Sequence, residues 1–339
     1  MISVGVLGAS GYGGGELLRL LDDHPDMTVT RVWANSSAGK PLGALHPHLA
    51  HLADVPVKEF DPGDLGVDFV FMALPHSTSA QYAGQLGVTP VVDRGADFRL
   101  ADAQAWTTYY GTEHAGTWTY GMPELPGARE LIADSKAVAN PGCYATAITL
   151  ALAPLLPAGL VDPTDIVVVA ASGTSGAGRS ASVPLLASEV TSGVRAYKAG
   201  GVHQHTPEIE QTLGRFAERV RLGFTPLLAP MSRGILATST ARLTPGADPD
   251  AVGEALHAAY DDEHFVRVLP EGRWPATQMT MGTNAVVLQW AHDAHSGRVV
   301  VCSAIDNLGK GAAGQAIQNA NLMLGLPEAT GLPVNGVAP

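Results

Sequence analysis

The opening of the chain constrains the fold most. Ile2-Ser3-Val4-Gly5-Val6-Leu7 is short, apolar and β-branched, and it stops at Gly8, as a buried strand does. Gly8-Ala9-Ser10-Gly11-Tyr12-Gly13-Gly14 follows, and then Glu16–Leu21, which reads as a helix ending near His24-Pro25. A glycine-rich turn between a strand and a helix lets backbone approach a diphosphate, and the helix start offers unpaired N–H groups. Gly8, Ser10, Gly11, Tyr12 and Gly13 are therefore candidate cofactor contacts. The alternative is a glycine-rich turn with no ligand.

The next segments keep the same rhythm. Met27–Trp33 reads as a second strand, Val67–Leu74 as a strand buried on both faces, Ser79–Leu86 as a helix and Pro90–Asp93 as a strand. Strands alternating with helices imply a parallel sheet. Past the second strand comes Ala34-Asn35-Ser36-Ser37-Ala38-Gly39-Lys40. An NAD site usually carries an acid there to grip the ribose hydroxyl. Hydroxyls and a lysine instead suit a 2′-phosphate, so NADP(H) is expected, with Ser36 and Ser37 as contacts.

At 339 residues the chain predicts about two domains. Charged residues reach only 15% against 46% apolar, which excludes disorder. The net charge of −12 disfavours nucleic acid and anionic membranes as partners. No apolar run approaches a membrane span, and the first residues read as a strand rather than a signal peptide, so a cytoplasmic location is expected. The two cysteines, Cys143 and Cys302, lie far apart, and a disulfide is not expected. The twelve histidines show no metal-ligand spacing, and no metal is expected.

Asp97–Leu125, polar and aromatic, reads as an excursion crossing the domain junction. Val138–Gly142 closes the first domain and Cys143–Leu156 is a helix. Asp165–Ala171 is a buried strand. Arg219–Phe224, Gly234–Arg242 and Asn284–Trp290 suggest a mixed or antiparallel sheet, with helix Pro249–Tyr260 between them. Val299–Ile305 is the last strand, and Lys310–Leu324 has a helical apolar stripe. The fold class expected is thus α/β: an N-terminal Rossmann-type parallel sheet plus a second α+β domain with a mixed sheet. The first domain ends at 142 and the second begins at 143, with 326–339 as an extended tail.

Two spots carry chemistry. Asn140-Pro141-Gly142-Cys143-Tyr144 places a thiol where a helix begins, which favours thiolate; an ordinary buried thiol is the bland reading. Cys302, inside an apolar strand, reads as core. In His203-Gln204-His205-Thr206-Pro207-Glu208, Thr206 suits an N-cap and Pro207 a first helical position, with the histidines just ahead on a loop. Acid–base use fits them better than metal ligation, for want of a third ligand.

These strings together resemble the N-acetyl-gamma-glutamyl-phosphate reductases, a family of the aspartate-semialdehyde dehydrogenase-like superfamily. The resemblance extends through Ala73-Leu74-Pro75-His76, Gly95-Ala96-Asp97-Phe98-Arg99-Leu100, Ser172–Arg179, Arg233-Gly234-Ile235 and Ala304–Gly311. One departure is Gly95, where the family more often has Ser. The resemblance implies NADPH-dependent reductive dephosphorylation of an acyl phosphate to an aldehyde in arginine biosynthesis, with release of inorganic phosphate. It implies Cys143 as nucleophile and His205 as acid–base residue, with His203 as the other candidate for that role or a substrate contact. It also implies substrate contacts at Arg99, Asn140, Lys198 and Glu208. Leu74, Pro75, Ser172, Gly173, Gly176, Asn307 and Lys310 would line the cofactor, so that the helix at 308–325 would complete domain 1–142, with 143–307 as the catalytic and dimerisation domain; a homodimer or homotetramer is implied. The nearest rival is the sister acyl-phosphate reductase of carrier-protein lysine biosynthesis. A non-catalytic NADP(H)-binding sensor is the alternative of another class.

Overall fold

A computed structural model describes residues 1–338 of the chain. Its elements run β1 (Ile2–Leu7), α1 (Tyr12–Asp22), β2 (Met27–Trp33), β3 (Phe69–Met72), α2 (Ala80–Ala83), β4 (Val91–Asp93), α3 (Ala103–Tyr110), β5 (Thr119–Tyr120), α4 (Ala128–Ala133) and β6 (Ala137–Ala139). Then come α5 (Cys143–Leu152), β7 (Val161–Ser172), α6 (Ala187–Val190), β8 (Arg195–Ala196), α7 (His205–Leu213), β9 (Leu222–Leu228) and β10 (Ile235–Leu243). The chain closes with α8 (Ala251–Tyr260), β11 (Val266–Val268), β12 (Val286–Asp293), β13 (Arg298–Ile305) and α9 (Gly314–Met323). Two compact units result: Met1–Pro141 with Ala312–Leu332, and Gly142–Gly311 with the chain from Pro333 onward.

The first unit holds a six-stranded sheet in the order β2-β1-β3-β4-β6-β5, parallel at every pairing. The chain steps to opposite sides of β1, so the carboxyl ends of β1 and β3 form the switch point where such sheets bind ligands. Apolar residues from successive strands (Leu7, Trp33, Val70, Met72, Val91) join Phe98 and Ala139 in one buried cluster. Helix α9 packs against α4 and β4. Asn319 Nδ2 donates to the Gly121 carbonyl (2.9 Å) and to Asn140 Oδ1 (3.1 Å), which fastens that helix to the sheet.

The stretch Asp97–Leu125 does not leave this unit, contrary to the sequence reading. Its aromatic residues supply their own anchors. Phe98 stacks on Trp118 at 3.7 Å and Trp106 on Tyr110 at 4.1 Å, and β5 extends the sheet beside β6.

Asp93, at the end of β4, is fully buried. Its Oδ1 accepts from Ser79 Oγ and from the Gly95 N–H, both at 2.8 Å, whereas Oδ2 has no hydrogen-bond partner. Burial above all, with the nearby Asp97 charge, raises its pKa to about 6; those two hydrogen bonds and Arg99 oppose the shift. A Cβ at Gly95 would meet Ser79 Oγ at 2.5 Å. The serine hydroxyl thus fills the space a side chain at position 95 would need.

A raised folded-state pKa means that folding favours the protonated form of Asp93. Its favourable contribution is complete below about pH 4 and is lost as pH climbs to about 6. Thermal unfolding should therefore show stability falling by on the order of 2–3 kcal/mol across that window. In Asp93→Asn, whose Oδ1 still accepts both bonds, that fall should vanish; an unchanged pH profile would refute the assignment.

The second unit is built on a seven-stranded mixed sheet, β11-β12-β13-β10-β7-β9-β8. The pairs β11/β12 and β7/β9 are parallel and the rest antiparallel. Period-two alternation puts Ile166, Val168, Ala170, Ile235, Ala237, Val299 and Val301 on one buried face. Helix α5, buried at every residue after Cys143, covers that face, and Ser303 Oγ donates to its Ala147 carbonyl at 2.9 Å. The opposite face leaves Val167 and Val169 about two-fifths exposed (43% and 41%). Cys302 lies in the register of this open face. It is half-buried rather than a core residue, with Thr238 Oγ1 at 3.8 Å from its sulfur.

The last residues, expected as an extended tail over 326–339, form no helix or strand as far as residue 338. Asn284 N–H donates to the Pro333 carbonyl and Val337 N–H to the Met281 carbonyl. Residue 339 lies outside the described residues. No helix among the described residues is long and apolar enough to cross a membrane.

Candidate active site

In the second unit, two helix starts carry the chemistry. Cys143 is the first residue of α5, half-buried, with Gly142 as its cap. His205 is the first residue of α7, where the sequence reading put it on a loop ahead of the helix. Thr206 and Pro207 lie inside the first turn, which tolerates proline because N–H groups there lack intrahelical acceptors. The two helices pack together. Glu208 is buried and its Oε1 accepts from the Gly142 N–H at 2.7 Å, so the carboxylate of one helix fixes the backbone turn that presents the thiol of the other. Gly311 packs on the Cys143 side chain: a Cβ there would sit 2.7 Å from Cys143 Cβ, so only glycine fits.

Next to Cys143, Tyr144 joins a cluster of rings. His203 packs edge-on to Tyr144, Tyr197 and Phe224 at 5.5, 5.8 and 5.1 Å. The His205 ring is 4.9 Å from His203 and 5.9 Å from Tyr144. Burial, and secondarily the Lys198 charge, lowers the His203 pKa to about 4, so this ring is neutral at physiological pH. Its Nδ1 accepts from the His205 backbone N–H at 3.1 Å, which leaves the proton of the neutral ring on Nε2. Tyr197 donates to the Tyr144 hydroxyl at 3.0 Å. Burial raises both phenols, Tyr197 to about 12, and each also feels the Cys143 charge. They stay protonated donors beside the sulfur. Neither tyrosine was singled out from sequence, although each adjoins a residue that was.

Lys198 is exposed and has a left-handed backbone (φ 44°), uncommon for a side-chain-bearing residue. Its Nζ donates to Gln204 Oε1 at 2.7 Å. Ser172 ends β7, and its Oγ donates to the Gly173 carbonyl. A Cβ at Gly173 would meet Arg233 and Ser232 backbone at 2.8 Å. Asn307 ties this turn down: Oδ1 accepts from the Gly234 N–H (2.7 Å), and Nδ2 donates to Ser175 Oγ (3.0 Å), beside an exposed Gly176. Asp306, fully buried, accepts from Arg233 and from the Gly282, Leu308 and Gly309 N–H groups. Lys310 is wholly buried, with Nζ 5.6 Å from the Phe265 ring centroid.

In the first unit, the glycine loop meets the end of β3 at the switch point. Gly8 has φ 89°, and a Cβ there would lie 2.5 Å from the Ala73 carbonyl oxygen just past β3. A Cβ at Gly14 would lie 2.5 Å from the Gly8 oxygen. Gly11 caps α1 with no side-chain hydrogen bond, and the first turn holds no acid. Buried His46, missed from sequence, donates from Nε2 to the Ala9 carbonyl at 2.8 Å and holds the loop from below. Tyr12 and Ser36 are exposed, Ser10 and Leu74 half-buried and Pro75 exposed, while Ser37 is nearly buried at 9%. A glycine cradle before a helix start with no capping side chain fits a dinucleotide diphosphate. Asn35, after β2, donates to the Tyr82 hydroxyl (3.1 Å) and accepts from the Phe60 N–H (3.2 Å); no acid stands in that loop.

Arg99 is buried (4% exposed), with Nη2 donating to the Arg94 carbonyl at 2.8 Å, so it is not a solvated surface charge. Asn140 is also buried, and its amide serves the Ala312 carbonyl and Asn319. Among the described residues, no group of three or more His, Cys, Asp or Glu side chains is placed to hold a metal ion.

Comparison with known proteins gives the class first. Residues 3–134 match the family described as "Semialdehyde dehydrogenase, NAD binding domain", and residues 143–307 match "Semialdehyde dehydrogenase, dimerisation domain". The chain is thus an oxidoreductase of the semialdehyde dehydrogenase type. Curated relatives named N-acetyl-gamma-glutamyl-phosphate reductase are 61% identical in Acidothermus cellulolyticus (99% of each chain) and 60% in Frankia casuarinae (100% of this chain, 99% of that one). The chain belongs to that reductase family. Among solved structures, aspartate semialdehyde dehydrogenase II complexed with ASA from Vibrio cholerae superposes with a TM-score of 0.72. It is 17% identical, over 96% of this chain and 98% of that one. The enzyme with NADP from Candida albicans gives 0.71 at 17%, with the same coverage. At such identity these two show the fold alone.

Proposed function

We propose that this chain reduces N-acetyl-gamma-glutamyl phosphate to N-acetyl-glutamate 5-semialdehyde with NADPH, releasing inorganic phosphate, in arginine biosynthesis. The observation that carries the reading is the Cys143 thiol at the start of α5, tied through the Gly142–Glu208 hydrogen bond to the helix that begins at His205.

Cys143 Sγ attacks the γ-acyl carbon. The bond to the phosphate oxygen breaks, phosphate leaves with the bonding pair, and a thioester remains on Cys143. Covalent catalysis splits one hard displacement into two steps. NADPH, when bound, supplies the hydride. Gly8, Ser10, Gly11, Tyr12 and Gly13 would hold its diphosphate, and Ser36, in a loop without an acid, would accept the 2′-phosphate. His205 protonates the thiohemiacetal oxygen and takes that proton back as the carbon–sulfur bond breaks. Neutral His203 is a poor proton acceptor and serves as a donor to substrate, which favours His205 for the acid–base role. Arg99 and Lys198 are the cations this reading assigns to the substrate's phosphate and carboxylate.

The decisive assay runs backwards: NADP⁺ reduction by free N-acetyl-glutamate 5-semialdehyde, dependent on added inorganic phosphate. Absence of that turnover, with the protein folded, sinks the reading. The free substrate also separates it from the carrier-protein lysine enzyme.

The exposed sheet face carrying Val167 and Val169 supports a homodimer formed there, consistent with the matched dimerisation domain. Light scattering should give twice the chain mass, and Val169→Lys should shift it toward the monomer. We place the enzyme in the cytoplasm, in keeping with its two free thiols.

A further inference from the structure

We infer that Arg94 is a clamp for the cofactor's diphosphate, a residue outside the glycine motif that contributes affinity and sets the lie of the dinucleotide on it. Arg94 follows β4 directly, and its N–H donates to the Met72 carbonyl at the end of β3 (2.9 Å). From there its half-buried side chain reaches the glycine loop. A Cβ at Gly13 would collide with Cζ and both Nη atoms of Arg94. The guanidinium therefore lies against the bare Cα of the second residue of α1. Its backbone is held from the other side, where the Arg94 carbonyl accepts from Arg99 Nη2.

A helix start carries roughly half a positive charge, and the Arg94 guanidinium lies beside it. Guanidinium and helix dipole both attract an anion set beside them. The planar guanidinium can grip two phosphate oxygens at once. The net charge of −12 sharpens the need, since a polyanionic cofactor approaching an acidic protein requires local positive potential. Gly13 then has a second purpose: its missing side chain makes room for Arg94 as well as for the ligand.

The inference rests on dinucleotide binding by the first unit, and the experiment separates the two. NADP⁺ affinity is measured by calorimetry on the full chain for wild type, Arg94→Gln and Arg94→Lys, at low and high salt, with thermal unfolding of each apo-protein as control. Arg94→Gln should weaken NADP⁺ binding by about 10- to 100-fold and flatten its salt dependence. Arg94→Lys should lie between, keeping the salt dependence but losing the two-point grip. If Arg94→Gln does not fold, the comparison of Arg94→Lys with wild type decides alone. Affinity within twofold of wild type in the folded variant, or a loss with unaltered salt dependence, overturns the clamp. Failure of wild type to bind NADP⁺ instead overturns the reading beneath it.

Discussion

Cys143→Ala should abolish acyl-phosphate reduction, a loss on the order of 10⁴-fold or more, while NADPH still binds. The two readouts come apart because the structure separates their residues. The glycine cradle, His46 and Arg94 belong to the unit of the parallel sheet. Cys143 belongs to the other, at a helix start whose dipole favours negative charge on sulfur. Alanine fits there without strain, since it removes one atom from a half-buried side chain. Steady-state NADPH oxidation measures the first effect and a fluorescence titration of NADPH the second. Turnover within tenfold of wild type would mean that the thiol is not the nucleophile. Loss of cofactor affinity in step with turnover would point to collapse of the fold rather than of the chemistry.

His205→Asn should lower kcat by about 10²- to 10⁴-fold, the range for removing a positioned acid–base group, with a far smaller effect on KM. One limb of the pH–rate profile should disappear with it. His203→Asn makes the contrast. That ring, neutral at physiological pH because burial and Lys198 depress its pKa to about 4, does not change its protonation state in the working range. Its loss should act mainly through KM and leave both limbs of the profile. If the two variants exchanged these signatures, the acid–base assignment would pass to His203.

Much of this was legible in the chain. The N-terminal strand falls where the pattern put it, since local periodicity encodes it directly; the helix after it begins at Tyr12 rather than Glu16, because the glycines at 13 to 15 wind into its first turns. The thiol and imidazole were visible as residue types beside turn and helix signals. What eluded the sequence was partnership across distance. Nothing near Gly142 announces that its N–H meets a carboxylate 66 residues on, or that Gly311 closes against Cys143. Arg94 lacks any motif of its own, and only the sheet brings the end of β4 over the glycine loop. The reading of Asp97–Leu125 failed for a related reason. The Phe98–Trp118 stack packs on the apolar cluster of the sheet and holds that stretch in the first unit, and ring stacking leaves no periodic trace. Cys302 was misplaced because an apolar strand does not disclose which of its two faces is covered.

The first unit draws on both extremes of the polypeptide, and this matters during synthesis. When a ribosome has extruded the first 141 residues, Asn319 does not yet exist to pair with Gly121 and Asn140. At ordinary elongation rates the wait is roughly ten to forty seconds. The nascent nucleotide-binding half must spend it with one flank bare, dependent on whatever shelters new chains in the cell.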